Sequence, residues 1–322
     1  MASNEKQTLE DIVPGHTLTL DFQNLDASIK KVIAFANEHP LDAVVSTDED
    51  AVTLAAMISE ALGLPHNPIF ATEATKYKDQ LRKILTRAAI PTPMANCFSI
   101  TDPLEEIAQK VTYPCVLKPI HLSASRGVIR ANTPEEFKSA FIRITKILSD
   151  PEVKRLGKGV TTRAEAAQKI LVESFISGEE VALEGLVQNG KLTVLALFDK
   201  PDPLNGLFFE ETIYVTPSRL SPIVQERIAV CTQQACDAIG LKEGPIHAEL
   251  RVNENGPFII EVAARSIGGI CSRTLRFGLG VSLEEIILRH ALKMPIDSLQ
   301  RQSPASGVMM IPIPHAGILS DI

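Results

Sequence analysis

An α/β architecture is predicted by three features of the sequence. Helical and strand patterns alternate over roughly the first half, Pro91 and Pro93 separate two such runs, and from Gly178 onward long antiparallel strands take over with two late helices. Together they predict a short N-terminal doubly wound domain followed by two α+β subdomains.

The elements follow in order. Residues 16–22 read as a short strand, 26–36 as a helix, 42–46 as a strand, and 49–62 as a helix closed by Gly63. That is the rhythm of half a doubly wound domain, but it carries no GxGxxG, so a dinucleotide is not indicated. A helix over 76–89 runs into Ile90-Pro91-Thr92-Pro93, where residues preceding proline leave the helical region and a new subdomain begins. Strands are expected at 97–100, 115–119, 128–131 and 170–173, with helices at 103–110 and 134–148 between them. The two late helices fall at 222–239 and 283–292, and there is no internal repeat or low-complexity segment.

Composition narrows the class. With 322 residues, 45% hydrophobic and 22% charged, the chain can bury a sizeable core and is not of disordered type. A net charge of -7 without a dense Lys/Arg run argues against nucleic acid or an anionic membrane as partner. No apolar run approaches the roughly 20 residues that span a bilayer, and the opening Met-Ala-Ser-Asn-Glu-Lys-Gln is not a signal peptide, so the cytoplasm is expected. Cys97, Cys115, Cys231, Cys236 and Cys271 lack metal-ligand spacing and read as reduced, structural thiols.

The acidic hairpin is the most informative local feature. His247-Ala248-Glu249-Leu250-Arg251 and Phe258-Ile259-Ile260-Glu261-Val262-Ala263 flank Asn253-Glu254-Asn255-Gly256, residues that tolerate the positive φ of a tight turn. A three-residue loop over 254–256, with Gly256 left-handed, pairs Glu249 with Glu261 and stands the two carboxylates side by side. Such a pair suits a hard divalent cation; a solvated hairpin face is the alternative.

Two further segments carry chemistry. Cys115-Val116-Leu117-Lys118-Pro119 ends an apolar strand in a lysine, and the small-residue loop Ser123-Ala124-Ser125-Arg126-Gly127 follows, a combination suited to a phosphate but short of a Walker A sequence. In Val172-Glu173-Ser174-Phe175-Ile176-Ser177-Gly178-Glu179-Glu180, an apolar strand meets a connector whose free backbone groups suit an adenine edge, with Glu180 placed for ribose hydroxyls. An ordinary hinge with solvated glutamates, Glu180 and Glu184 sharing one face by period two, is the bland reading.

In this order the motifs resemble the ATP-grasp superfamily, from about residue 71 to beyond 290. The resemblance implies that Lys78, in Tyr77-Lys78-Asp79-Gln80, and Lys118 hold the phosphates of ATP while Ser123, Ser125, Arg126 and Gly127 close over them. It implies that Glu173, Ser174, Phe175 and Ile176 form the adenine hinge, that Glu180 binds ribose, and that Glu249 and Glu261 carry Mg²⁺, with Mn²⁺ able to replace it. Residues 1–70 then form a partial N-terminal domain, 71–112 a linker helix and the start of the ATP-grasp region, 113–176 the small subdomain and 177–322 the large one, the last two clasping ATP.

Most members place an asparagine two residues after the second metal acid, where this chain has Ala263. Glu261-Val262-Ala263-Ala264-Arg265 instead resembles the L-amino-acid ligases, which join amino acids into dipeptides through an acyl phosphate. That likeness implies that Arg265 steadies the acyl phosphate and tetrahedral intermediate. It also places Gly268 and Gly269 near a substrate carboxylate and Glu211 near a substrate ammonium. His247 shares the face of Glu249 and orients a ligand or serves as a base. The implied partners are small carboxylate and amine substrates, with a homodimer as the common habit. A biotin-carboxylase-like or formate-activating enzyme is a second reading. A degenerate ATP-binding protein without turnover is a third, because the N-terminal region is short for the family and the chain ends soon after His315-Ala316-Gly317.

Overall fold

The computed structural model describes residues 1–4, 15–22, 24–151, 153–154, 164–209 and 211–311. Glu210, next to Glu211, and the segment around His315 lie outside the described residues. Among the described residues, no helix is long and apolar enough to cross a membrane, and all five cysteines are free.

The N-terminal region holds Ala2–Ser3 (β1), Leu18–Thr19 (β2), Leu25–Glu38 (α1) and Val52–Ala61 (α2). Asn24 caps α1 by accepting the Ala27 N–H at 3.0 Å. The two strands pair in parallel over two residues only. Among the described residues, 42–46 form no strand. The described part of the doubly wound half holds the two-residue ladder and two helices.

Helix prediction over 76–89 needs a correction. The segment divides into Ile69–Lys76 (α3) and Lys78–Arg87 (α4), broken at Tyr77, which is buried with extended backbone and lets the Lys78 N–H reach the Ile120 carbonyl at 3.0 Å. Leu81 and Leu85 of α4, one turn apart, are fully buried, each contributing about 1.5–3 kcal/mol. Their burial fixes the rotation of α4, and Lys78 and Arg82, also four apart, share an adjacent face.

A four-stranded sheet follows, built from Ala95–Ser99 (β3), Cys115–Pro119 (β4), Ile129–Ala131 (β5) and Lys169–Ser174 (β6) in the order β3-β6-β4-β5. Leu104–Lys110 (α5) and Pro134–Ser149 (α6) cover one face through Ile107, Phe137, Phe141 and Ile144. The smaller layer therefore begins before residue 113, since β3 pairs with β6. Every residue of β4 is buried, so Lys118 emerges from a fully enclosed strand.

The larger sheet has the order β11-β10-β7-β8-β9-β14. Its strands are Glu179–Gln188 (β7), Lys191–Asp199 (β8), Ile213–Thr216 (β9), Glu243–Asn253 (β10), Gly256–Ala263 (β11) and, after the short pair Arg276–Phe277 (β12) and Val281–Ser282 (β13), Ser306–Met309 (β14). Pro222–Ile239 (α7) begins with proline in its first turn and ends on Gly240 at φ 89. It packs with α3 and α4 on one face, burying Val181, Leu183, Ile246, Ala248 and Leu250. Leu283–Ala291 (α8) covers part of the other face with Ala182, Leu186 and Phe198. Period two then sends Glu180 and Glu184 of β7, and His247, Glu249 and Arg251 of β10, to the face opposite the α7 core.

Glu249 does pair with Glu261, but by a different route from the one expected. The turn holds two residues, Glu254 and Asn255, because Asn253 pairs with Gly256, whose φ is 110. Asn253 accepts the Asn255 N–H at 2.9 Å. The missing residue is supplied by a β-bulge: Leu250 pairs with Ile259 and Glu249 with Glu261, leaving Ile260 as the extra residue.

Candidate active site

Between the two sheets lies a cleft lined by Lys78, Lys118, Ser123, Ser125, the segment 173–176, Glu180, Glu211, Glu249 and Glu261. Arg126 and Gly127 line an adjoining groove. Larger cavities border the N-terminal region, one of them walled by His66, Asn67, Glu243 and His290, but they contain none of the predicted site residues. Lysines and carboxylates converge in the cleft, and that is where the chemistry is assigned.

Lys118 leaves β4 and meets Glu173 of β6 at 2.8 Å; Arg82 of α4 holds the other oxygen of Glu173 at 2.7 Å. Burial alone would raise the Glu173 carboxyl, but Arg82 and Lys118 outweigh it and hold it below the usual range. This side chain therefore acts on the lysine, and only the backbone of the hinge is left for a base edge. Phe175 has Arg130 over its ring at 3.9 Å and Arg251 at 5.1 Å. In the loop that follows β4, Ala124, Ser125 and Gly127 take left-handed φ of 55, 52 and 75, the tight backbone on which an anion cradle is built. Lys78 stands beside it, its Nζ donating to the Leu122 carbonyl at 2.8 Å and lying 3.6 Å from Glu261.

The carboxylate face is more crowded than the sequence implies. Oxygens of Glu180, Glu211 and Glu249 lie within 4.8 Å of one another, a grouping able to hold a metal ion. Lys200, at the end of β8, places its buried Nζ 2.9 Å from Glu180 and 2.9 Å from Glu249, and bonds Glu211 as well. Burial opposes charge on Lys200, yet Glu249, Glu180 and Glu211 raise it well above the ordinary lysine value. Burial, then Glu249, pushes Glu211 up to about 7. Burial would also raise Glu249, but Lys200 and His247 hold it well below the carboxylate range. Glu180 also receives Arg251 Nε at 3.1 Å.

His247 sits with Nδ1 3.5 Å from Glu184 and Nε2 3.7 Å from Glu249. Burial disfavours its charge, but Glu184 and Glu249 outweigh it and push it up to about 9. Glu184, fully buried, accepts the Ile267 N–H at 3.0 Å and so ties the segment before Gly268 to the same face. A side chain at Gly268 would meet nothing within 4 Å, whereas at Gly269, φ 61, it would strike Met310. Arg265 meets Glu49 of the N-terminal region, Nε to Oε2 2.8 Å, and donates from Nη1 to the Ser266 carbonyl at 2.8 Å.

Lys200, Arg82, Arg251 and Glu49 escaped the sequence reading. For Lys200 a signal exists: Phe198-Asp199-Lys200-Pro201 ends a strand in lysine before proline, as Leu117-Lys118-Pro119 does. The other three lie in amphipathic or capping contexts where a solvated charge reads equally well.

Two sheets clasping a cleft in which Lys78, Lys118, the segment 173–176, Glu249 and Glu261 converge have the arrangement of an ATP-grasp protein. The ATP-grasp domain profile matches residues 111–274 and the ATP-grasp N-terminal domain profile residues 2–66, and the chain belongs to that family. It is 24% identical over 273 residues to the alanine–anticapsin ligase of Bacillus subtilis, covering 81% of this chain and 56% of that protein. Against dapdiamide A synthase of Enterobacter agglomerans the identity is 25%, over 76% of this chain and 55% of the other. The crystal structure of an L-amino acid ligase from Bacillus licheniformis superposes with a TM-score of 0.76 at 29% identity, covering 92% of this chain and 70% of that one. The chain spans about half the length of these curated relatives.

Proposed function

We propose that the chain acts as an ATP-dependent carboxylate–amine ligase that works through an acyl phosphate and joins amino acids into a dipeptide or a similar amide. One observation carries this reading: Lys78 stands between the phosphate loop and the acidic face, bonded to Leu122 O at 2.8 Å and 3.6 Å from Glu261. The terminal phosphate would therefore lie where lysine and carboxylates meet. Relatives named as amino-acid ligases support the choice of reaction.

Lys78 and Lys118 bind the phosphates, Ser123, Ser125, Arg126 and Gly127 cover them, the 174–176 backbone receives adenine, and Glu180 faces ribose. The oxygens of Glu180, Glu211 and Glu249 form a donor set that fits Mg²⁺ or Mn²⁺; we assign Glu249 and its cross-strand partner Glu261 as the ligands, with Glu211 alongside. Bound there, the ion neutralises charge on the phosphates. Lys200 already occupies Glu211, so we assign that residue to the cation side of the cleft rather than to a substrate ammonium. Arg265 faces the developing oxyanion, and the open backbone at Gly268, with Gly269 next to it under Met310, receives a substrate carboxylate.

In the first step the substrate carboxylate attacks the γ-phosphorus and the bond to ADP breaks. In the second, the amine nitrogen attacks the acyl carbon, the bond to phosphate breaks, and the amine proton leaves to solvent. Holding the reactants in line and excluding water from the acyl phosphate are the protein's main contributions. Phosphate release with ATP, Mg²⁺ and pairs of amino acids tests the proposal. Release with particular pairs, and the amide seen by mass spectrometry, is expected; ATP binding without release in any pair sinks it. Glu261→Gln should lower turnover by about 100-fold or more while melting like the native protein; retained activity would overturn the metal assignment.

A further inference from the structure

Glu261 reaches the cleft only because β11 is bulged. From Asn253 to Leu250 the hairpin pairs residues whose partners are Gly256, Pro257, Phe258 and Ile259; continued without interruption, that register would set Ile260 opposite Glu249 and Glu261 opposite Ala248. Ala248 is fully buried in the core against α7, so Glu261 would point into hydrocarbon. Ile260 is the residue that turns the carboxylate back.

The segment from α4 to β3 grips this bulge. Ile259 donates its N–H to the Pro91 carbonyl at 2.9 Å, Thr92 Oγ1 donates to the Ile259 carbonyl at 3.1 Å, and Arg82 donates from Nη2 to the carbonyl of Ile260 itself. The same guanidinium is ion-paired through Nε with Glu173, 2.7 Å away, whose second oxygen holds Lys118. Arg82 is 3% exposed, and it meets its two partners from two separate nitrogens of a rigid planar fork, Nε towards Glu173 and Nη2 towards Ile260, where a lysine offers a single nitrogen.

We infer that Arg82 is a positioning residue: by holding the Ile260 carbonyl it fixes the bulge that presents Glu261 to the metal, and by holding Glu173 it ties that acid to the phosphate lysine Lys118. Metal affinity and nucleotide placement are thereby set from one buried side chain that touches neither ligand. This inference rests on the metal and nucleotide assignments proposed above.

Arg82→Lys keeps a cation for Glu173 but gives up the second contact, and Arg82→Met fills the same volume without charge. Glu173 retains Lys118 in both, so neither strands a buried carboxylate, and the methionine variant covers the case in which lysine does not fold. Mn²⁺ binding is followed by electron paramagnetic resonance, ADP binding without metal by calorimetry, and melting by circular dichroism. For Arg82→Lys the expected result is Mn²⁺ affinity about 10-fold weaker, in the range seen when outer-shell partners of a metal site are lost, with metal-free ADP binding within about twofold. Arg82→Met should weaken both, Mn²⁺ the more. Native Mn²⁺ affinity in the folded variants overturns the inference, as does a parallel loss of Mn²⁺ binding, ADP binding and melting temperature in both. If the unaltered protein binds neither Mn²⁺ nor ADP, the site assignment itself fails, a different outcome from either of these.

Discussion

Arg265 lies four residues after Glu261, just beyond the end of β11, yet its partner is Glu49, from the N-terminal region: Nε and Oε2 stand 2.8 Å apart. The N-terminal region thus sends a carboxylate to the arginine expected to face the oxyanion. Burial raises Glu49, with Arg265 pulling against it, and burial opposes charge on Arg265 while Glu49 is the first of three glutamates that raise it.

Glu49→Gln keeps the shape and removes the charge. The guanidinium then loses its anchor at Nε, and turnover is expected to fall about 10-fold with the KM for ATP little changed, since nucleotide contacts are untouched. Steady-state kinetics check this; equal turnover in the variant would mean that Ser266 alone orients Arg265.

Lys200→Met leaves Glu180, Glu211 and Glu249 without their shared cation. Breaking a buried charge cluster in this way costs about 3–5 kcal/mol, measurable by denaturant titration. Because a divalent ion can take the place of the ammonium, Mn²⁺ should raise the melting temperature of the variant more than that of the native protein. An equal rise in both would show that the three carboxylates do not form a cation site.

His121, 8% exposed at the head of the phosphate loop, is pushed down to about 4 by burial and by the charges of Lys78 and Lys76. The unfolded chain binds a proton at this residue below about 6.5, whereas the folded chain does not until about 4. Stability therefore falls as pH drops through that window, by about 3 kcal/mol in total. Comparing native protein with His121→Asn at several pH values cancels the carboxylates common to both. A difference in unfolding free energy that does not change with pH would show that His121 takes up its proton as readily in the fold as in the unfolded chain.

Much of both layers was legible because their signals are local. The apolar run 115–119, the Thr133-Pro134 start of α6 and the Gly240 end of α7 each state their own conformation through side-chain period or capping. The break at Tyr77 was not legible, since nothing in Lys76-Tyr77-Lys78 disfavours a helix and only burial of the ring and the Ile120 carbonyl impose it. Likewise the strand expected at 42–46 had the right composition, yet among the described residues it pairs with no other strand.

The acidic hairpin shows both sides. Its two strands, its turn residues and the presence of Glu249 and Glu261 follow from the sequence alone, because alternation and positive-φ residues act over a few positions of chain. Whether the two acids share a face was decided by one bulged residue, the cations around them come from α4 and the end of β8, and the carboxylate that meets Arg265 comes from the N-terminal region. Charges are matched through space in a buried, low-dielectric cleft, not along the chain, so Arg82, Lys200 and Glu49 acquire their roles only once the layers are packed.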